Sequence, residues 1–222
     1  MRVSARMFEA SARVSSRATI GQTRQPPGRW LFKPLVFLLC LLPAVRLVWL
    51  AYNDALGADP IEALLHGSGD WALRFLLITL ALSPLRQWTG WGFWLRYRRM
   101  LGLYAYFYAL GHFLVWLLLD QALMWETIIP DIVKRPYITV GFTALLLLTP
   151  LALTSTKRMM QRLGRRWKKL HRLVYVAAAL GVIHFLWLVK ADLREPLIYA
   201  VILAGLMIWR LPRLRRIRIK QA

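Results

Sequence analysis

Residues 165–189 read RRWKKLHRLVYVAAALGVIHFLWLV. Five Lys or Arg fall in the first eight positions, and the seventeen residues from Leu173 to Val189 carry no Asp, Glu, Lys or Arg. At 1.5 Å per residue that run spans about 25 Å as a helix, close to the roughly 30 Å hydrocarbon thickness of a bilayer. An apolar helix with a basic foot reads as a membrane span whose foot is cytoplasmic. The run does not alternate with period two, so it is not a strand of a membrane barrel.

Five further runs flank it: Leu35–Tyr52, Trp71–Leu85, Leu101–Leu119, Tyr137–Leu153 and Leu197–Leu211. The second and the last are short for a span and would need flanking Trp or Arg side chains, or a thinner bilayer. The predicted fold is all-α and integral to a membrane: a six-helix transmembrane bundle with both termini cytoplasmic. Composition agrees. Of the 222 residues 58% are hydrophobic and the mean hydropathy is +0.45, against about 45–50% apolar residues in soluble domains. The single cysteine, Cys40, excludes an intrachain disulfide and any multi-cysteine zinc or iron–sulfur site. No internal repeat is evident by eye.

The net charge of +21 would suggest nucleic acid in a soluble protein. Its placement removes that reading. With the N-terminus inside, segments 1–33, 86–100, 154–172 and 210–222 hold 25 of the 31 Lys and Arg and one acid, Glu9. The outer segments hold the other nine acids, among them Asp54, Asp59, Glu62, Asp70, Glu126 and Asp131. This is the asymmetry that orients membrane proteins, and it also attracts anionic lipid. None of the basic segments is long enough for a nucleic-acid-reading module. Three regions follow: a basic extension over 1–29, expected to be disordered; a membrane domain over 30–212; and a basic cytoplasmic tail over 213–222. Arg46 and Arg74, near the outer ends of their runs, are expected to snorkel to the interface.

Histidine inside a span is usually functional. His66 falls in the acidic outer stretch and is expected to be an exposed loop residue. His112 lies about 18 Å above the inner end of the third run, and His184 about 20 Å above that of the fifth. The two imidazoles therefore share a depth in the outer half of the membrane. As a pair they can supply both axial ligands of a haem iron; as structural residues they would bond to neighbouring carbonyls or hydroxyls. Small residues that could flank a flat macrocycle stand beside both: Gly102, Ala105, Ala109 and Gly111 on the third helix, and Ala177, Ala178, Ala179 and Gly181 on the fifth. His171 is at the inner level, level with Arg98 and Arg99 and near Arg165 and Arg166. Those guanidiniums would suit a propionate or a phosphate. His171 would serve a second haem or a flavin there, or stand as a plain interfacial residue.

The stretch Arg98-Arg99-Met100-Leu101-Gly102-Leu103 followed by His112 resembles the third helix of the ferric-reductase-like transmembrane domain. Trp167-Lys168-Lys169-Leu170-His171-Arg172-Leu173-Val174-Tyr175 followed by His184-Phe185-Leu186-Trp187 resembles its fifth, and Ser83-Pro84-Leu85-Arg86 and Thr154-Ser155 fit the same pattern. Within that family the chain is similar to the haem-binding membrane subunits of periplasmic methionine sulfoxide reductase systems, over about residues 30–212. The resemblance implies a multi-pass protein of the bacterial inner membrane that holds haem b, one or two per chain, on His112, His184 and His171. It implies FMN as a further cofactor, with no flavin motif visible in the residues. It also implies electron transfer from quinone to a periplasmic molybdopterin-containing reductase in a heterodimer, with no catalytic group in this chain. The competing classes are a cofactor-free transporter and a membrane scaffold with structural histidines. A transporter would usually show inverted repeats or buried acids.

Overall fold

The computed structural model describes residues 29–189 and 192–219, with side chains over 32–189 and 192–210. The expected N-terminal extension, apart from Arg29, lies outside the described residues, as do the last three residues of the basic tail. The chain divides into two compact units, up to Val36 and from Phe37 onward. The packing and the site described below concern the second.

Among the described residues the regular structure is helical. In chain order the elements are α1 (Arg29–Tyr52), α2 (Pro60–Thr89), a 3-10 turn (Gly92–Arg96), α3 (Arg98–Val115) and a π turn (Trp116–Asp120) that continues it. Then follow α4 (Trp125–Lys134), α5 (Pro136–Leu153), the short α6 (Lys157–Leu163) and α7 (Arg165–Leu170), α8 (Leu173–Leu188) and α9 (Arg194–Ile219). Among the described residues four stretches are long and apolar enough to cross a membrane: Phe32–Tyr52, Arg98–Asp120, Pro136–Leu153 and Arg165–Leu188. The chain is a multi-pass membrane protein. The second and sixth expected spans fall inside α2 and α9, whose charged residues, such as Asp70, Arg74 and Arg210, dilute their apolar character.

The α2 helix begins eleven residues before the apolar run that announced it. Asp59 caps it, its carboxylate accepting from the Glu62 amide at 2.9 Å, and Pro60 occupies the first turn, where its missing N–H costs nothing. Gly90 ends it in the left-handed conformation, φ 72°. At the other end of the sequence, α9 runs on to Ile219, so most of the expected tail continues that helix.

Two helix pairs dominate the packing: α2 against α3, and α5 against α8. Lipid tails are as apolar as leucine, so these pairs are held by close contact and hydrogen bonds rather than by expulsion of water. Small residues permit the approach: Ala105 on α3 and Ala177 and Ala178 on α8 are almost completely buried. Around them pack Leu73, Leu76 and Leu80 of α2, Leu145 and Leu148 of α5 and Val182 of α8. Leu38, Leu42, Val45 and Trp49 on α1 are exposed, as expected of a lipid-facing surface.

The α9 helix is tied on by polar contacts near both ends. Arg74 does not simply snorkel: its Nε donates to the Tyr199 hydroxyl at 2.7 Å, and its Nη2 lies 3.3 Å from Asp70 Oδ2. Towards the other end, Arg210 donates to the Tyr175 hydroxyl and the Leu80 carbonyl. There Trp209 also donates to Gln87 Oε1 at 3.3 Å.

Candidate functional site

Between the two helix pairs lies a cavity of about 410 Å³, within the usual range of cofactor and ligand pockets, about 300–1,000 Å³. His112 of α3 and His184 of α8 both line it, so the shared depth read from the sequence becomes a shared chamber. Their ring centroids are 6.1 Å apart and the ring planes cross at 81°. Of the small residues singled out beforehand, Ala105, Ala109, Ala177 and Gly181 line the chamber. Gly102 packs against Thr79 instead, and Gly111 faces open space.

Each imidazole is held from behind by a backbone carbonyl. His112 Nδ1 is 2.9 Å from the Leu65 carbonyl oxygen on α2, and His184 Nδ1 is 2.7 Å from that of Tyr137 on α5. A carbonyl oxygen only accepts, so Nδ1 carries the proton in both rings. That leaves each Nε2 with its lone pair, the tautomer a metal-ligating histidine needs. Two glycines make the approach possible. A Cβ on Gly69 would stand 3.1 Å from His112 Nδ1, and one on Gly141 would stand 2.7 Å from His184 Nδ1.

The wall turns polar near the start of α2 and the end of the π turn: Asp59, Glu62, His66, Asp70, Asp120 and Arg135 line it there. His66 is not in a loop. It sits on the second turn of α2, with Nε2 3.6 Å from Glu62 Oε1. Arg135 Nε contacts Asp131 Oδ1 at 2.9 Å. The neighbouring Tyr137 and the Asp131 carboxylate raise its already high proton affinity.

The inner residues lie elsewhere. Neither His171 nor Arg98, Arg99, Arg165 or Arg166 lines this cavity. His171 falls at the break between α7 and α8, stacked on Trp167 with ring centroids 3.8 Å apart. Its Nδ1 is 3.2 Å from the Trp167 carbonyl oxygen, its Nε2 is buried, and the Leu151 backbone stands beside the ring. Among the described residues no group of three or more His, Cys, Asp or Glu is placed to hold a metal ion. A metal in the chamber would therefore rest on the two imidazoles and on a ligand frame of its own.

The family profile described as ferric reductase like transmembrane component matches residues 68–182. Curated relatives named "Protein-methionine-sulfoxide reductase heme-binding subunit MsrQ" match most of the chain. The protein from Xanthomonas campestris pv. campestris (strain 8004) is 58% identical over 184 residues, covering 80% of this chain and 84% of that one. The protein from Xanthomonas oryzae pv. oryzae (strain MAFF 311018) is 54% identical with the same coverage. The one from Brucella anthropi is 50% identical over 187 residues, 84% of each chain. The chain belongs to the MsrQ family. No solved structure matches it.

The matched span in this MsrQ-family chain contains Gly69, Gly141 and the Tyr137 carbonyl, and it includes His112 and His171, but it begins three residues after Leu65 and stops two residues short of His184. Reading the sequence by depth found the two imidazoles. It missed Gly69 and Gly141, whose role lies in a contact across helices, and it missed the start of α2. The capping signal Asp59-Pro60-Ile61-Glu62 was available for the latter.

Proposed function

We propose that this chain is a haem b electron-transfer subunit that takes electrons from quinone in the bacterial inner membrane. It delivers them to a periplasmic molybdopterin-containing reductase that repairs oxidised methionine, its partner in a heterodimer. Six spans with both termini in the cytoplasm, supported by the charge asymmetry, place the His112–His184 level in the outer half of the membrane. The observation that carries the reading is the pair of rings on one cavity. A metal held at about 2.0–2.1 Å by one nitrogen of each ring would set the centroids about 6 Å apart, and they are 6.1 Å apart.

The remaining features fit the same group. A bound haem supplies one-electron chemistry at its iron. His112 and His184 would hold it through their Nε2 atoms, and the Leu65 and Tyr137 carbonyls keep each ring in the ligating tautomer. Leu73, Leu76, Leu145 and Leu148 give the chamber an apolar wall. Ala105 and Ala177, with no side chain beyond Cβ, leave room for a flat macrocycle. The chain contributes no catalytic group of its own.

His171 is assigned to a second, inner cofactor, haem or FMN, with Arg98, Arg99, Arg165 and Arg166 as partners for its anionic groups. The support is the place of the ring at the break before α8, close enough to Arg98 to feel its charge. A scaffold of structural histidines accounts for the carbonyl behind each Nδ1, but neither it nor a transporter gives a reason for the two rings to line one cavity 6.1 Å apart.

The test is the absorption spectrum of the purified chain and of His112→Ala and His184→Ala. The wild-type protein should show a reducible low-spin Soret band, and each variant should lose haem or change spin state. In membranes, turnover from reduced quinone to a sulfoxide substrate should require both this chain and its partner. An unaltered low-spin spectrum in both variants would overturn the ligand assignment. Full turnover without the chain would remove the function.

A further inference from the structure

The two imidazoles are held by the same device, and the numbering shows why. His112 and Leu65 are 47 positions apart, and so are His184 and Tyr137. In each case the glycine beside the ring lies four residues after the carbonyl: Leu65 and Gly69, Tyr137 and Gly141. Everything in the second set is the first set shifted by 72 residues. Contrary to the impression by eye, the chain repeats.

The cavity wall carries the point further. Of its 29 residues, 24 fall into twelve pairs separated by 72 positions. Seven of the pairs are identical, including Gly69 and Gly141, Ala105 and Ala177, and His112 and His184. Residues that line one chamber are drawn from scattered turns of four helices, so a common shift throughout is the signature of a copied unit. That unit is a two-helix hairpin, α2–α3 in the first copy and α5–α8 in the second. A hairpin returns the chain to the side it left, so the copies share one orientation, related by an axis along the membrane normal.

We propose that the chamber is enclosed by two copies of one ligand-presenting hairpin, and that Gly69 and Gly141 are its positioning residues. In each copy the carbonyl four residues earlier accepts the imidazole proton from behind. The glycine is what lets the ring stand close enough to give it. Any side chain there would push the imidazole off the carbonyl, freeing the ring to rotate and Nδ1 to lose its proton. Glycine inside a helix is less favourable than alanine, so its presence at both equivalent turns calls for a reason outside the helix, and the adjacent ring supplies it. The two copies are not equally tight: the missing Cβ would lie 2.7 Å from the ring at Gly141 and 3.1 Å at Gly69.

This inference rests on the haem reading above, and the experiment separates the two. The full-length chain is purified in detergent as wild type, Gly69→Ala, Gly141→Ala and Gly111→Ala. Haem per chain, the low-spin Soret band, the electron paramagnetic resonance spectrum and far-ultraviolet circular dichroism are recorded for each. Gly111 adjoins His112 in sequence but faces open space, so its variant should match wild type. Gly141→Ala should lose about 10–100-fold in haem affinity, the scale on which outer-shell partners of metal ligands act. Gly69→Ala should lose less, and both should shift the low-spin resonance with helical content unchanged. Wild-type haem content and spectra in both variants would overturn the proposal. So would a loss of helical content in Gly141→Ala, which would make the glycine a packing residue. A wild-type chain that binds no haem would instead overturn the reading beneath it.

Discussion

Replacing Tyr108 with phenylalanine tests how α1 is fastened to the helix that carries His112. Tyr108 lies one turn before His112 on α3, and its hydroxyl reaches the turn of α1 that Pro43 interrupts. It accepts from the Ala44 amide at 2.9 Å and donates to the Cys40 carbonyl at 2.9 Å. Those two groups are the donor and acceptor of one helical turn, so the hydroxyl is interposed in the ladder, as at other bends of helices. The phenylalanine variant keeps the ring and removes both bonds. Interhelical hydrogen bonds in membranes average about 0.6 kcal/mol and reach about 1.7, while a buried group left unsatisfied costs about 1–3 kcal/mol. Two bonds to one turn should therefore be worth about 1–2 kcal/mol. Tyr104 offers a comparison, since its hydroxyl makes one bond, to the Phe37 carbonyl at 2.8 Å. That carbonyl has a second lone pair for its own helix, so Tyr104→Phe should cost only about 0.5 kcal/mol. Unfolding in mixed micelles of increasing SDS fraction reads both. Equal losses in the two variants, or none in Tyr108→Phe, would refute the interposed-hydroxyl argument.

Other outcomes follow from the same structure. His171→Ala should reduce haem or FMN per chain; if both stoichiometries stay unchanged, His171 is an interfacial residue. Reporter fusions at Gly67 and at Gln221 should give periplasmic and cytoplasmic signals respectively, and a periplasmic signal at Gln221 would remove the six-span topology. Tyr199→Phe removes the acceptor of a short bond from Arg74 and should destabilise the chain by about 0.5–1.5 kcal/mol, with the Soret band unchanged because neither residue ligates a metal.

The parts of the fold that depend on local composition could be read from the sequence. The apolar runs at Leu101–Leu119 and Leu173–Val189 became α3 and α8 because nothing within them could be satisfied outside a helix in lipid. His112 and His184 could be paired because the rise per residue fixes depth once the inner ends are known. The start of α2 could not be found by hydropathy, since Glu62, His66 and Asp70 give its first turns the composition of a loop. The carbonyls of Leu65 and Tyr137 were invisible for a stronger reason: a backbone oxygen has no side-chain signature. The glycines that expose them were visible only as isolated letters until the shift of 72 residues aligned them. Sliding the sequence along itself would have revealed that shift, whereas scanning for familiar motifs did not.

Where the copies diverge shows which part of the chamber the duplication leaves free. The lining residues without a lining counterpart at the 72-residue shift are Asp59, Ile61, Glu62, Asp120 and Arg135. All five lie at or beyond the α2-start and π-turn ends of the wall, and four of them are charged. Next to them, His66 and Asp70 in the first copy stand against Ile138 and Phe142 in the second. Deeper in, the pairs are alike: alanine with alanine, leucine with leucine, histidine with histidine. A flat ligand held by two opposed rings needs matched walls on both sides, which constrains the interior of both copies at once. The mouth has no such requirement, because whatever meets it comes from one side. The acids there sit on the first hairpin, while the second brings Arg135, Ile138 and Phe142, so an arriving partner or anionic arm would meet a surface with a definite direction. On the six-span topology that surface faces the periplasm, the side on which the proposed electron acceptor lies.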